Sequence, residues 1–203
     1  MNQTNLYPLI ERIGNLLRTE LRKSGHDLGL QPVHLEALHF LSICNRYSDT
    51  PMVVTDYLGA TKGTVSQTLK VLETKGYLTK IVDINDRRVQ HLKVTKSGYE
   101  ILSTFLPPAI FSNANNQISE SDNNQMTILL TQMLRELQRA NQSKTFGVCN
   151  SCSFFRSDGS QYQCGLTKEP LSSGDSNKIC REHSPKIVEH EAQSSENSGF
   201  LNN

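Results

Sequence analysis

Four of the five cysteines in this 203-residue chain fall between residues 149 and 180. Cys149 and Cys152 form a Cys-x2-Cys knuckle, a tight turn able to aim both thiols at one cation. Cys164 follows after eleven residues and Cys180 after fifteen more. Four thiolates match the tetrahedral preference of zinc, which accepts sulfur readily. Cys180-x2-His183 offers a further ligand. The spacing departs from a zinc ribbon, because the second pair is not Cys-x2-Cys. Irregular four-cysteine sets also hold iron–sulfur clusters, and a metal-free thiol–disulfide switch is a third reading. Zinc is the preferred cofactor and an iron–sulfur cluster the alternative. Phe154, Phe155, Tyr162 and Leu166 are expected to form a small apolar cover. A segment this short has little core of its own, so a bound ion would supply much of its folding energy. The fifth cysteine, Cys44, sits in an apolar helical pattern and reads as a small buried side chain rather than a sensing thiol.

A second set of polar residues shares one face of "TKGTVSQTLKVLETKG", Thr61 to Gly76. Val65, Leu69 and Leu72 recur at helical spacing and predict a buried stripe. Lys62, Gly63, Thr64, Ser66, Gln67 and Lys70 are then left largely outside. Such side chains reach base edges and phosphates when a helix enters a major groove. Gln can bond adenine through two hydrogen bonds, and Lys can pair with guanine or phosphate. Gly63 allows close backbone approach at the helix start, whose free N–H groups favour phosphate. Arg87 and Arg88, adjacent in the polar turn "DINDRR", suit a narrow minor groove, where the potential is most negative. Asp86 is expected to brace one of these arginines. Any one of these charges alone reads as solvated surface; their order points to DNA.

The elements that must carry these residues follow from periodicity and punctuation. Leu6, Ile10, Ile13, Leu17 and Leu21 predict a helix with one apolar stripe. A second helix is predicted from about Val33 to Ile43, and a third from Met52 to Leu58, closed by Gly59. Thr61 is the expected N-cap of the fourth and Gly76 its stop. "YLTKIV" and "VQHLKV" read as strands by alternation and β-branched content. Thr95 is expected to cap another helix that ends near Pro107 and Pro108. Residues 112–124 are polar, and a long helix is predicted over about Ile118 to Gln142, with Met126, Leu129, Leu130, Met133, Leu134 and Leu137 on its apolar face. The plan is mainly α with a small β-hairpin wing: a winged helix-turn-helix with long flanking helices and a loop-rich metal-binding C-terminal segment.

Residues 30–105 resemble the core of the MarR-type regulators, the multiple-antibiotic-resistance family of winged helix proteins. The likeness rests on "TKGTVSQTLKVLETKGYL" and on "DINDRRVQHLKVTKSG". Asp83, Asp86, Arg87, Arg88, Thr95 and Gly98 meet the family pattern of Asp, two residues, Asp-Arg-Arg and a later Thr-x-x-Gly. Thr55 departs from it, where a small residue such as Ala is usual, and so does His34, where Gln is common. The resemblance implies a homodimer with interlocked N- and C-terminal helices, binding a palindromic site in double-stranded DNA. It also implies a small-molecule effector in some members. His26, His34, His39 and Tyr47 fall near that region by analogy, but no ligand site is assigned to them. The resemblance says nothing about the cysteine segment.

The implied organisation is an N-terminal dimerisation helix (1–29), a DNA-binding domain (30–105), a C-terminal dimerisation helix (106–145), a four-cysteine module (146–186) and a disordered tail (187–203). The winged core is expected to be separate from the cysteine segment. The formal net charge is +1, so any basic surface must be local. Residues 51–100 carry eight Lys and Arg against five Asp and Glu, which places it. The N-terminus does not read as a signal peptide and no segment is apolar enough to span a membrane, so the expected compartment is the cytoplasm. No nucleophile motif or Gly-rich phosphate loop is present, which argues against an enzyme. The expected function is a DNA-binding transcriptional regulator, a repressor before an activator, tuned by a metal or redox effector. The rival is a redox or metal-binding adaptor that uses the winged domain for protein contact.

Overall fold

The computed structural model describes residues 6–159 and 161–186, so the expected tail at 187–203 lies outside the described residues. Helix α1 (Leu6–Gly25) is followed by a 3-10 turn, then α2 (Pro32–Ile43), α3 (Pro51–Leu58) and α4 (Lys62–Thr74). Strands β1 (Leu78–Val82) and β2 (Gln90–Val94) form an antiparallel hairpin with Leu78 opposite Val94. Helices α5 (Lys96–Phe105), α6 (Ala109–Asn115) and α7 (Glu120–Ala140) complete the helical part.

Helix α2 is the hub. It packs on α1, α3, α4, α5 and β2. Leu35, Ala37, Leu38, Phe40 and Leu41 are all buried, so this helix is apolar nearly all round, as a central helix must be. Val53, Val54, Val65, Leu69, Leu72, Leu78, Leu92 and Leu102 close the core around it.

Local chemistry sets the boundaries. The Thr50, Thr61 and Thr95 side chains each accept an N–H from the first turn of α3, α4 and α5. Gly76 takes the left-handed conformation after α4 (φ +74°), which a side chain would resist. The Thr95 hydroxyl also donates to the Gly76 carbonyl at 2.6 Å, tying the start of α5 to the end of α4. Gly98 is buried where any Cβ would run into the Tyr77 carbonyl oxygen. The Thr-x-x-Gly pattern therefore has a packing cause.

Three expectations need correction. The polar stretch after Pro108 is not all loop. Residues Ala109–Asn115 form α6, and the long helix starts at Glu120, behind the Ser119 cap, rather than at Ile118. Packing of α6 beside α1 overrides a composition poor in helix formers. The cysteine segment holds more structure than loops. Strand β3 (Gly147–Val148) pairs with β7 (Ile179–Cys180), while β4 (Phe155–Asp158), β5 (Gln161–Cys164) and β6 (Pro170–Leu171) form a three-stranded antiparallel sheet. A short helix, α8 (Ser173–Ser176), lies between β6 and β7.

The winged core is also not separate from this segment. Phe146 and Ile179 pack against the main core. Phe40 stacks on Tyr57 with ring centroids 4.1 Å apart, and Phe146 meets both rings edge-on at 5.8 and 5.2 Å. A short run of backbone bonding joins the two parts as well, because the Asn45 N–H donates to the Ile179 carbonyl at 2.9 Å.

Candidate functional site

The outer face of α4 carries the expected set. Lys62, Gly63, Thr64, Ser66, Gln67 and Lys70 are exposed, while Val65, Thr68, Leu69 and Leu72 are buried. The Thr64 hydroxyl lies 3.0 Å from that of Thr61, so it belongs partly to the cap. Ser66, Gln67 and Lys70 point outward from the middle of the helix, where they can meet a ligand.

The wing turn is built by carboxylates. Asp83 accepts the N–H groups of Asn85 and Asp86 at 2.7 and 2.8 Å, which holds its carboxyl below the usual range. Asp86 accepts from Arg88 Nε at 3.0 Å and Nη2 at 2.9 Å, the expected brace. The two arginines therefore differ: Arg88 is held in a fixed fork, while Arg87 is exposed and has no hydrogen-bond partner among the described residues.

Sequence reasoning missed what steadies the wing. The buried Asp49 carboxylate binds His91 Nδ1 at 2.5 Å and Lys93 Nζ at 2.6 Å, and the Asp49 carbonyl accepts the Leu92 N–H at 2.7 Å. His91 Nε2 reaches Asp83 at 3.1 Å. The hydrogen bond to Asp49 raises the His91 pKa, against burial and with help from Asp83. The loop between α2 and α3 thus grips strand β2. A polar "SD" before a helix cap was the available signal, but its partners lie more than 40 residues away.

The four clustered cysteines come together. Cys149, Cys152, Cys164 and Cys180 line one cavity of about 40 Å³, with Phe154, Phe155 and Leu166 as apolar wall and Asn45, Tyr47, Thr167 and Glu182 at its edge. Tyr162 lies behind this wall, against Phe155. Several sulfurs receive donors suited to thiolates. The Phe154 and Ser184 N–H groups point at Cys152 Sγ at 3.5 and 3.3 Å. Burial works to raise the Cys164 pKa, but the Thr167 N–H and hydroxyl and the Leu166 N–H outweigh it and lower it. Burial pushes Cys149 up to about 11, and the neighbouring Cys180, Cys164 and Cys152 add to the shift. Burial raises Cys180 too, against the Asn45 amide and the Glu182 N–H.

The donor set suits a thiophilic cation, since mutually repelling thiolates are what such an ion relieves. The sulfurs nonetheless line the cavity without closing on a point: among the described residues no three His, Cys, Asp or Glu side chains form a ready ligand set. His183 does not line the cavity. Its ring nitrogens face the hydroxyls of Thr145 at 3.2 Å and Ser151 at 3.0 Å, and burial lowers its pKa. Cys44 is buried outside the cavity, and burial pushes its thiol up to about 12.

The flanking helices leave a wide apolar face open. Leu6, Leu9, Ile13 and Leu16 on α1 and Ile128, Leu129, Leu134 and Leu137 on α7 are exposed. Among the described residues no helix is long and apolar enough to cross a membrane.

Comparison with known proteins gives the same picture for the helical part. Residues 28–89 match the MarR family model. The transcriptional repressor MprA of Escherichia coli (strain K12) is 26% identical over 118 residues, 56% of this chain and 66% of that protein, just under two thirds of its length. S. aureus MepR in its DNA-binding conformation superposes with a TM-score of 0.55 at 26% identity, covering 66% of this chain and all of that one. The S. aureus MepR–DNA complex gives 0.53 at 26% identity, covering 67% of this chain and 100% of that chain. Apo MarR from E. coli, at 18% identity and 0.51, covers 64% of this chain and 98% of that one and shows the fold alone. These likenesses are to MarR-family proteins, and the MepR structures share the fold of the helical part. The family match ends at residue 89, ahead of the clustered cysteines.

Proposed function

We propose that this chain is a cytoplasmic, homodimeric transcriptional regulator of the MarR type, acting as a repressor. It reads a palindromic site in double-stranded DNA and is tuned by the metal or redox state of its four-cysteine unit. The observation that carries the reading is the pairing of an outward polar face on α4 with exposed arginines on the wing that follows. Ser66, Gln67 and Lys70 would meet base edges and phosphates in the major groove, with Lys62, Gly63 and Thr64 at the helix start nearest the backbone. Arg87, free of partners among the described residues, would reach into the minor groove, and Arg88, held by Asp86, would bind at a fixed angle. The apolar faces of α1 and α7 are what a second copy would cover, since faces this wide are seldom left in water.

The similarity to MprA and to DNA-bound MepR favours the same reading. A repressor of this kind needs no catalytic group of its own. The decisive experiment selects duplexes from a random pool with the full-length protein and measures binding against salt. The expected result is a palindrome with half-sites about one DNA turn apart, and an affinity that falls steeply as salt rises. Recovery of no preferred sequence would leave the adaptor reading in its place.

A further inference from the structure

Asn45 is a buried residue, 1% exposed, at the start of the loop joining α2 to α3. Its Nδ2 has no hydrogen-bond partner, and the residue lines the cavity that holds the four sulfurs. A buried amide hydrogen without an acceptor is unfavourable, so such a group marks a place where an acceptor is due. Cys180 lines the same cavity, and its sulfur is the acceptor on offer there.

Resting on the regulator reading above, we propose that the four thiolates bind a single zinc-class divalent cation. In this arrangement Asn45 donates to the Cys180 sulfur, and the 44–50 loop carries the occupancy of the site to the wing.

Four sulfurs lining one small cavity match the four ligands of a tetrahedral zinc-class ion. Binding would exchange thiol protons for the ion. The Phe154 and Ser184 N–H groups that point at Cys152 Sγ would belong to the outer layer that fixes ligand orientation in such sites, and Asn45 would join them at Cys180.

The coupling follows the chain. Cys180 ends strand β7, which pairs with β3 on one side. On the other side Ile179 takes the Asn45 N–H and bridges Cys44. The next residue, Arg181, donates its N–H to the Ser48 hydroxyl at 2.9 Å and its guanidinium to Asp56 on α3 at 2.7 and 2.6 Å. One residue beyond Ser48, Asp49 holds His91, Leu92 and Lys93 of β2. Movement of Cys180 toward an ion therefore acts on both α3 and the wing through a loop only seven residues long, 44–50. This is a physical linkage with named bonds on each side, not mere proximity.

The test uses full-length protein, purified without oxygen, loaded with Zn²⁺ or stripped by a chelator. Zinc per chain comes from elemental analysis, and amide exchange is followed at residues 44–50 and 90–94. Affinity for the duplex selected above is measured in both states. The expected result is one zinc per chain and roughly tenfold changes in protection and DNA affinity between the states. In the Ser48→Ala, Asp56→Asn double variant, which touches no sulfur, zinc should stay bound while those differences shrink to about twofold or less. Colourless protein that takes no zinc, or brown protein carrying iron and sulfide, overturns the cation assignment. Bound zinc with equal protection in both states of the wild type overturns the coupling and leaves the metal site standing. So does a double variant that retains the full difference. Because exchange is read without DNA, the coupling is decided even if no duplex is selected, an outcome that would sink only the regulator reading.

Discussion

The winged part and the cysteine part of this chain are held together by different means. The first encloses a row of aliphatic side chains from α1 to α5, with Leu35, Leu38, Val54 and Leu72 fully out of water. The second buries one aliphatic side chain, Leu171, beside Cys149, Cys152, Ser176 and His183. A core of the first kind folds on its own hydrophobic burial. A unit of the second kind lacks that driving force and must lean on a ligand, on its neighbour, or on both. The lesson is one of direction: the winged part has the core to support the cysteine part, while the cysteine part has little core to offer in return.

The sharpest way to break this comparison is Cys152→Ser. If the proposed metal site stands, metal content should fall to near zero and amide protection should be lost across residues 149–183, while the winged part keeps a cooperative unfolding transition. Loss of the whole transition would show that the two parts fold as one. The converse variant, Leu38→Ala, should destabilise the winged part by about 2–5 kcal/mol in denaturant melts. The cysteine unit should unfold at the same midpoint, since Phe146 and Ile179 would lose their seat. A cysteine unit that outlasts the winged part would make it an independent domain.

Smaller changes sharpen the picture within the winged part. Gln67→Ala should relax preference at one base position per half-site, at a cost of about 1–3 kcal/mol for the preferred base. Selection from a random pool would detect it, and an untouched profile would mean the helix presents another face. Arg87→Ala should lower the salt slope by about one unit with little change in base preference. The smallest effect concerns His91, whose folded pKa lies above its ordinary value of 6.5. Its contribution is complete below that value and is lost as pH rises through the raised one. Stability should therefore fall on the alkaline side by about 1 kcal/mol or less. Melts from about pH 6 to about pH 9 should show this in wild type but not in His91→Gln.

What was legible in the sequence was what local chemistry decides. Thr61, Gly76, Thr95 and Gly98 mark helix ends through groups within a few residues, and the structure puts them to that use. The outward face of α4 followed from one apolar stripe, because burying Val65, Leu69 and Leu72 exposes the rest. The gathering of the cysteines was legible in outline from their spacing. The Asp49, His91 and Lys93 brace was not, because those contacts span 42 and 44 residues. Nor was the seat of Phe146, whose partners Phe40 and Tyr57 lie on α2 and α3. Helix α6 was hidden by Asn- and Ser-rich composition, which tertiary packing overruled.

The aromatic trio also bears on how such a chain could be shortened or recombined. A truncation before residue 146 looks harmless on paper, since it spares α1 to α7. It would strip the edge-on ring from Phe40 and Tyr57 and leave an oily notch on the surface. The shortened protein should then self-associate unless that notch is repainted with polar groups. Transplanting the cysteine segment onto a foreign winged helix meets the mirror problem, because Phe146 would arrive with nowhere to sit. The segment is therefore not a portable cassette unless the host supplies rings where Phe40 and Tyr57 stand.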